Sequence, residues 1–251
     1  MEGLRMRKLL FVGIVTTILI WSITSGTIFM SDGIESERTN ILSETYIPHD
    51  PIVVSSNDDF TTEGFSGEGS PGNPFLIEWF EFTSNIDDAC ISISNTTAWF
   101  RIINCSFAPD SFASAITLYN VSNGQIQYSI TGENAWSILV NQSSEVHLGH
   151  LTLSGTCIFM EQSWMCSVSH CSIYGAPGDG IYFYDCSQMT IDGCDISNCA
   201  ATGIALENTG ESTIMGNMVH DNFLEQIFIY GGSSVVRVHD NEIHVGMNGG
   251  A

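Results

Sequence analysis

Basic residues are almost missing from this chain. Six Lys and Arg stand against 28 Asp and Glu, a formal net charge of −22 over 251 residues. Arg5, Arg7 and Lys8 lie at the very start. Beyond residue 30 only Arg38, Arg101 and Arg237 face 27 acids, with no lysine at all. A surface of that sign repels phosphate backbones, which excludes nucleic acid as a partner and leaves cations, neutral sugars and basic proteins. The length is too small for two ordinary domains. No window holds a 3.6-residue apolar period for long, so extended amphipathic helices are excluded. No nonapeptide or EF-hand calcium loop occurs. Disorder is excluded too, because aromatic and β-branched residues run throughout.

Uncharged residues run from Leu9 to Met30 behind the three early positive charges, and Asp32, Glu35 and Glu37 follow. Twenty-two residues at about 1.5 Å each can cross a hydrocarbon core of about 30 Å. The basic flank would stay inside and the acidic remainder outside. A cleaved signal peptide fits as well, with an apolar region from Leu9 to Trp21 and small residues Ser22 to Gly26 after it. Residues 1–30 are therefore expected to be a hydrophobic helix that serves as membrane anchor or signal peptide. Either reading puts the rest at the cell membrane or outside the cell. Four N-x-S/T sequons, at Asn95, Asn104, Asn120 and Asn141, fit an exported, glycosylated chain. Residues 31–50 are polar and unpatterned, which reads as a stalk.

What fills the rest is a repeat. Gly180-Ile-Tyr-Phe and Gly203-Ile-Ala-Leu lie 23 residues apart, and the register extends to coils starting at Ile91, Ile116, Ile138, Ile158, Ile181, Ile204 and Ile227. Two residues on stand Ile93, Leu118, Val140, Met160, Phe183, Leu206 and Ile229. A third column holds Ile102, Ile126, Leu148, Val168, Ile191, Ile214 and Val238. A fourth holds Phe107, Thr131, Leu153, Ile173, Ile196, Val219 and Ile243. Of these 28 sites 27 are apolar, far above the 43% background, and Thr131 is the exception. Short apolar alternations separated by Gly, Asn, Asp and Ser are strand signals. Three strands per coil of about 23 residues describe an all-β fold, a parallel β-helix of seven to eight coils over residues 89–251.

Between the third and fourth columns come Cys105, Ser129, Leu151, Cys171, Cys194, Asn217 and Asn241. Side chains of this kind can bond along a stack, and the short polar ones tolerate a left-handed backbone in a turn. A lead-in over 51–88 carries a Gly/Pro-rich loop, Gly64 to Pro74. Its Ile77, Phe80 and Phe82 are expected in the last three inward columns of a first partial coil.

The repeat Asp179-Gly-Ile-Tyr-Phe…Met189-Thr-Ile-Asp-Gly-Cys-Asp-Ile resembles the right-handed parallel β-helix repeat proteins of the pectin-lyase-like superfamily. Pro48-His-Asp-Pro-Ile and Gly67-Glu-Gly…Asn73-Pro-Phe-Leu-Ile-Glu resemble a segment of archaeal surface members. The likeness spans roughly residues 47–245. It implies a right-handed solenoid and little about function, because this fold hosts lyases, hydrolases, epimerases, adhesins and a periplasmic copper-maturation protein. Polygalacturonase-like members imply paired aspartates and an Arg-x-Lys. Here the Asp-Asp pairs, Asp58-Asp59 and Asp87-Asp88, precede the full coils, and no lysine is available. Lyase-like members imply an arginine base beside calcium-binding acids, yet Arg101 and Arg237 lie at opposite ends of the stack.

The outward positions of the first strand are more informative. Phe159, Tyr182 and Phe228 form one column; Tyr119, Asn141, Glu161, Tyr184, Glu207 and Tyr230 form the next. Aromatic rings interleaved with acceptors suit sugar rings or a protein partner. The expected function is a non-catalytic exported surface protein that binds carbohydrate or another protein there. In the enzyme alternative, a polysaccharide hydrolase or lyase, Glu161, Asp185 and Glu207 are the carboxylates to test. Glu161 and Glu207 stand two coils apart, about 9.6 Å by strand spacing. A third alternative is copper or calcium binding at the envelope through His220, His244, His239 and Asp240, with His150 and His170 as a second stacked pair. No obligatory cofactor is expected. Most of the eight cysteines fall on inward columns as small hydrophobes; Cys171 and Cys194, in adjacent coils, are the one pair placed for a disulfide. The last coil reaches Ile243 with no recognisable cap, so end-to-end self-association is also expected.

Overall fold

The computed structural model describes residues 46–86, 89–109, 112–132 and 135–244. The chain divides into two units, and the second, Tyr46–Ala251, holds the solenoid. The expected N-terminal helix, most of the stalk and the Asp87-Asp88 pair lie outside the described residues.

Among the described residues three sheets run along this unit, two of eight strands and one of nine, and within each the neighbours are separated by one coil of sequence. One coil shows the plan: Ile181–Tyr184 belongs to the first sheet, Thr190–Asp192 to the second and Asp195–Ser197 to the third. Each pairs in parallel with its equivalents in the coils before and after. The result is a parallel β-helix of about seven turns. The four columns read in the sequence are the pairing register itself: Ile158, Ile181, Ile204 and Ile227 are successive partners, as are Met160, Phe183, Leu206 and Ile229.

Alternation with period two sends these columns inward, and from Ile91 to Val219 they are buried, Thr131 included. Each fully buried Ile, Leu or Phe contributes about 1.5–3 kcal/mol. In the last described coil the same columns surface: Ile229, Val238 and Ile243 are exposed.

Corners repeat as faithfully as strands. At the end of the first strand Asn95, Asn120, Gln142, Gln162, Asp185 and Asn208 all hold φ between 49° and 52°. Just inside that corner a ladder satisfies the backbone: the amides of Val121 and Ser143 donate to Ser143 Oγ and Ser163 Oγ, each one coil on. At the next corner the amides of Cys194 and Asn217 donate to Asn217 Oδ1 and Asn241 Oδ1. The left-handed residue there is not in this ladder column, as the sequence suggested, but one position earlier, at Asn104, Tyr128, His150, His170, Gly193, Gly216 and Asp240. The ladder side chains must point inward to reach the next coil's amide, and the preceding residue makes the reversal.

The lead-in is more complete than the sequence predicts. Ile52–Val54 supplies the first-sheet strand of the opening coil, with Ile52 paired to Ile91 and Val54 to Ile93. Ile47–Pro48, inside the segment expected as stalk, pairs with Phe80 and Glu81. Phe80 is only half-buried, packed at 4.2 Å on the His49 ring. The one short helix among the described residues, Asp59–Thr62, buries Phe60 against Phe75 and Phe100.

Candidate functional site

The first sheet turns alternate residues, such as Ile181 and Phe183, to the core, so the residues between them, such as Tyr182 and Tyr184, form one continuous outer face. Phe159 and Tyr182 are register partners, and their rings stack at 5.2 Å. Phe228 and Tyr230 stack at 4.6 Å two coils further on. Between them Ala205 partners both Tyr182 and Phe228 and is buried at 2% exposure. The Tyr182 hydroxyl reaches across this gap to donate to Glu207 Oε2 at 2.5 Å, and the Tyr230 hydroxyl donates to Tyr182 Oη at 3.4 Å. Burial, and then the Glu207 bond, hold the Tyr182 proton well above the ordinary tyrosine range.

Tyr184 stands in the next column between Glu161 and Glu207, its partners on the two flanking strands. The charge of Asp185, then burial, then Glu207 and Glu161 push its hydroxyl up. The three candidate carboxylates are thus brought around one ring. Two are already engaged: Glu161 Oε2 accepts from Asn141 Nδ2 at 2.8 Å, and Glu207 holds Tyr182. Tyr119 lies one coil before Asn141 and is exposed.

Beside this face, where residues 175–180 lead back into the first strand, lies a cavity of about 330 Å³. Trp136, Leu139, Phe159, Pro177 and Tyr182 line it, with Asp179 and Cys157. The sequence reading missed Trp136, Leu139, Pro177 and Asp179. Trp136 and Asp179 lie on strand starts and connectors whose lengths vary between coils, so no column flags them; Leu139 occupies an outward site in a column otherwise noted for its rings.

The remaining candidates fall elsewhere. His220 and His244 are register partners on the third sheet. Each turns to a carboxylate rather than to the other: His220 to Asp221 and Asp195, His244 to Glu242, and His239 likewise to Asp240. Among the described residues no three His, Cys, Asp or Glu side chains gather as a metal site. Tyr128, His150 and His170 form an exposed stack, at 4.8 and 5.2 Å. Cys105, Cys157, Cys166, Cys171, Cys186, Cys194 and Cys199 are free thiols, and Cys171 and Cys194 hydrogen-bond to each other. Of the sequons, Asn95 and Asn120 are exposed corner residues bonded to each other, Asn104 is half-buried at its corner, and Asn141 faces Glu161.

Residues 89–251 match the model of the right handed beta helix region. The chain belongs to this right-handed β-helix family. Among curated proteins no sequence matches it. Among solved structures it is similar to a double mutant of a periplasmic alginate epimerase, at 14% identity and a TM-score of 0.56, covering 67% of this chain and 50% of that one. It is also similar to endopolygalacturonase I from Stereum purpureum in complex with two galacturonates, at 14% identity and a TM-score of 0.46, covering 69% and 68%. The chain thus spans half the length of the epimerase. Likeness at this level is one of fold.

Proposed function

We propose that this β-helix is an exported surface protein that binds neutral carbohydrate on the outer face of its first sheet, without turning it over. One observation carries the reading: Phe159, Tyr182, Tyr184, Phe228 and Tyr230 lie within four coils of one sheet, with Glu161 and Glu207 between them. Ring faces stack on the apolar face of a sugar, while carboxylates and tyrosine hydroxyls take its hydroxyl groups. The net charge of −22 disfavours a polyanion. A similar solved structure is that of a periplasmic alginate epimerase, which supports carbohydrate as the ligand class. Its chemistry does not transfer at 14% identity, and Glu161 and Glu207 are already hydrogen-bonded within the face. Export rests on the basic and apolar start of the sequence. Among the described residues no three metal-ligating side chains converge, and His220, His239 and His244 each bond a carboxylate, which disfavours the metal reading.

The test is a glycan array on the purified full-length chain, with a reducing-sugar assay on every ligand found. Binding to a neutral glycan should weaken roughly thirtyfold on Tyr182→Ala plus Tyr184→Ala, at about 1 kcal/mol for each ring. Intact binding in the double variant sinks the proposed face. Release of reducing ends that disappears in Glu161→Gln replaces binding by catalysis.

A further inference from the structure

The cavity beside the sugar face has a chemistry of its own. Three aromatic side chains, Trp136, Phe159 and Tyr182, stand in its wall with Leu139 and Pro177. Each ring is held in place. Trp136 packs on Phe112 at 4.8 Å, Phe159 stacks on Tyr182 at 5.2 Å, and the Tyr182 hydroxyl is fastened to Glu207. A cavity of about 330 Å³ is at the small end of ligand sites, enough for a compact head group.

Asp179 sets the charge of this wall. Its Oδ1 accepts the Thr202 amide at 2.8 Å, which fixes the carboxylate without neutralising it. The four ion pairs among the described residues all use His220, His239 or His244, and none includes Asp179. Neither Arg101 nor Arg237 lines the cavity. The nearby Cys157 thiol is pushed up, first by burial and also by the Asp179 charge, so it adds no second anion. An anionic ligand would be repelled. A neutral apolar ligand would cover the rings but strip water from a carboxylate that gains nothing in return. A cation with apolar substituents satisfies both, since ring faces and carboxylate attract it together.

We propose that this cavity binds an organic ammonium ion of tetramethylammonium or choline size, with the rings of Trp136, Phe159 and Tyr182 against its methyl groups and Asp179 as counter-charge. The net charge of −22 draws such ions toward the surface. The inference goes beyond the carbohydrate reading. The two share Phe159 and Tyr182, so the test uses Trp136 and Asp179, which take no part in the sugar face.

Isothermal titration calorimetry of the full chain with tetramethylammonium, choline and 3,3-dimethylbutan-1-ol, the neutral isostere of choline, decides it. Both cations should bind, and the isostere at least tenfold more weakly. Trp136→Leu removes the ring face, and Asp179→Asn removes the charge but keeps the oxygen that accepts Thr202. Each should weaken choline at least fivefold and leave neutral glycan binding unchanged. Circular dichroism establishes that each variant is folded, and either one alone suffices if the other is not. Equal binding of choline and its isostere overturns the proposal, as does choline binding indifferent to both substitutions, or no cation binding at millimolar concentration.

Discussion

The Tyr182 hydroxyl donates to the Glu207 carboxylate one coil further on, at 2.5 Å, and so bridges the gap above the buried Ala205. The bond ties the two halves of the aromatic face together, and it makes the tyrosine a poor acid. Folding raises its pKa, so its contribution to stability is complete below the unfolded value of about 10 and is lost as pH rises beyond it. In an alkaline titration followed by tyrosine absorbance, Glu207→Gln should shift part of the late-ionising signal to lower pH. An unchanged curve would mean that the carboxylate does not govern this proton.

His220 gives a second window of the same sign, at lower pH. Its bond to Asp221 first, then its contacts with Asp195, raise its pKa, against an opposing effect of burial. The charges facing it are these two carboxylates, with His244 as its register partner. A raised folded pKa stabilises below the unfolded value near 6.5, and that stabilisation fades as pH climbs past the folded one. The difference in unfolding free energy between the native chain and His220→Gln should therefore be larger at pH 5.5 than at pH 8.5. It should stay below about 1 kcal/mol, because the pair faces solvent. A larger difference at pH 8.5 would contradict the assignment.

The buried cysteines should be slow to react although most are free thiols. Burial pushes Cys105, Cys186 and Cys199 up to about 11 and Cys166 up to about 12. The thiolate is the nucleophile, so at pH 8 very little is present. Timed maleimide labelling read by peptide mass spectrometry should mark half-buried Cys157 before Cys105, Cys166, Cys186 and Cys199, which should label only on unfolding. Early labelling of Cys166 or Cys194 would show that the coils open locally.

Gly203 is a packing requirement rather than a flexible joint. A Cβ there would meet Val219 Cγ1 at 2.5 Å, Asn222 Nδ2 at 2.6 Å and the Gln226 carbonyl oxygen at 2.7 Å. Gly203→Ala should cost about 1–3 kcal/mol, measured by denaturant unfolding. Ala at Gly178, where an added Cβ would meet no atom within 4 Å beyond its chain neighbours, should cost far less.

The solenoid was legible because one coil must lie on the next. Ile181, Phe183, Ile191 and Ile196 repeat in sequence for the same reason that they pair in space. What escaped lay off that period. Ile52 belongs to the Ile91 column, but the helix and the Gly-rich loop intervene and spoil the count. The aromatic columns of the sugar face could be read as columns, yet the crossing from Tyr182 to Glu207 could not, since it joins different columns in different coils. Trp136 and Asp179 converge only because connectors of unequal length fold toward one corner, and periodicity holds no record of that.

The hydrogen-bonded corners carry one more implication. The Ser143–Ser163 ladder and the Asn217–Asn241 ladder each join a coil to its neighbour by the same bond, a backbone amide donating to a side-chain oxygen one coil on. Nothing in such a joint specifies how many coils precede it. The length of this molecule is therefore quantised: excision of residues 181–203 would set Ile158 against Ile204 with every inward column intact, whereas loss of half that segment would turn the core outward. Growth or shrinkage by whole coils is the route by which a chain of this kind can change its reach while keeping its cross-section.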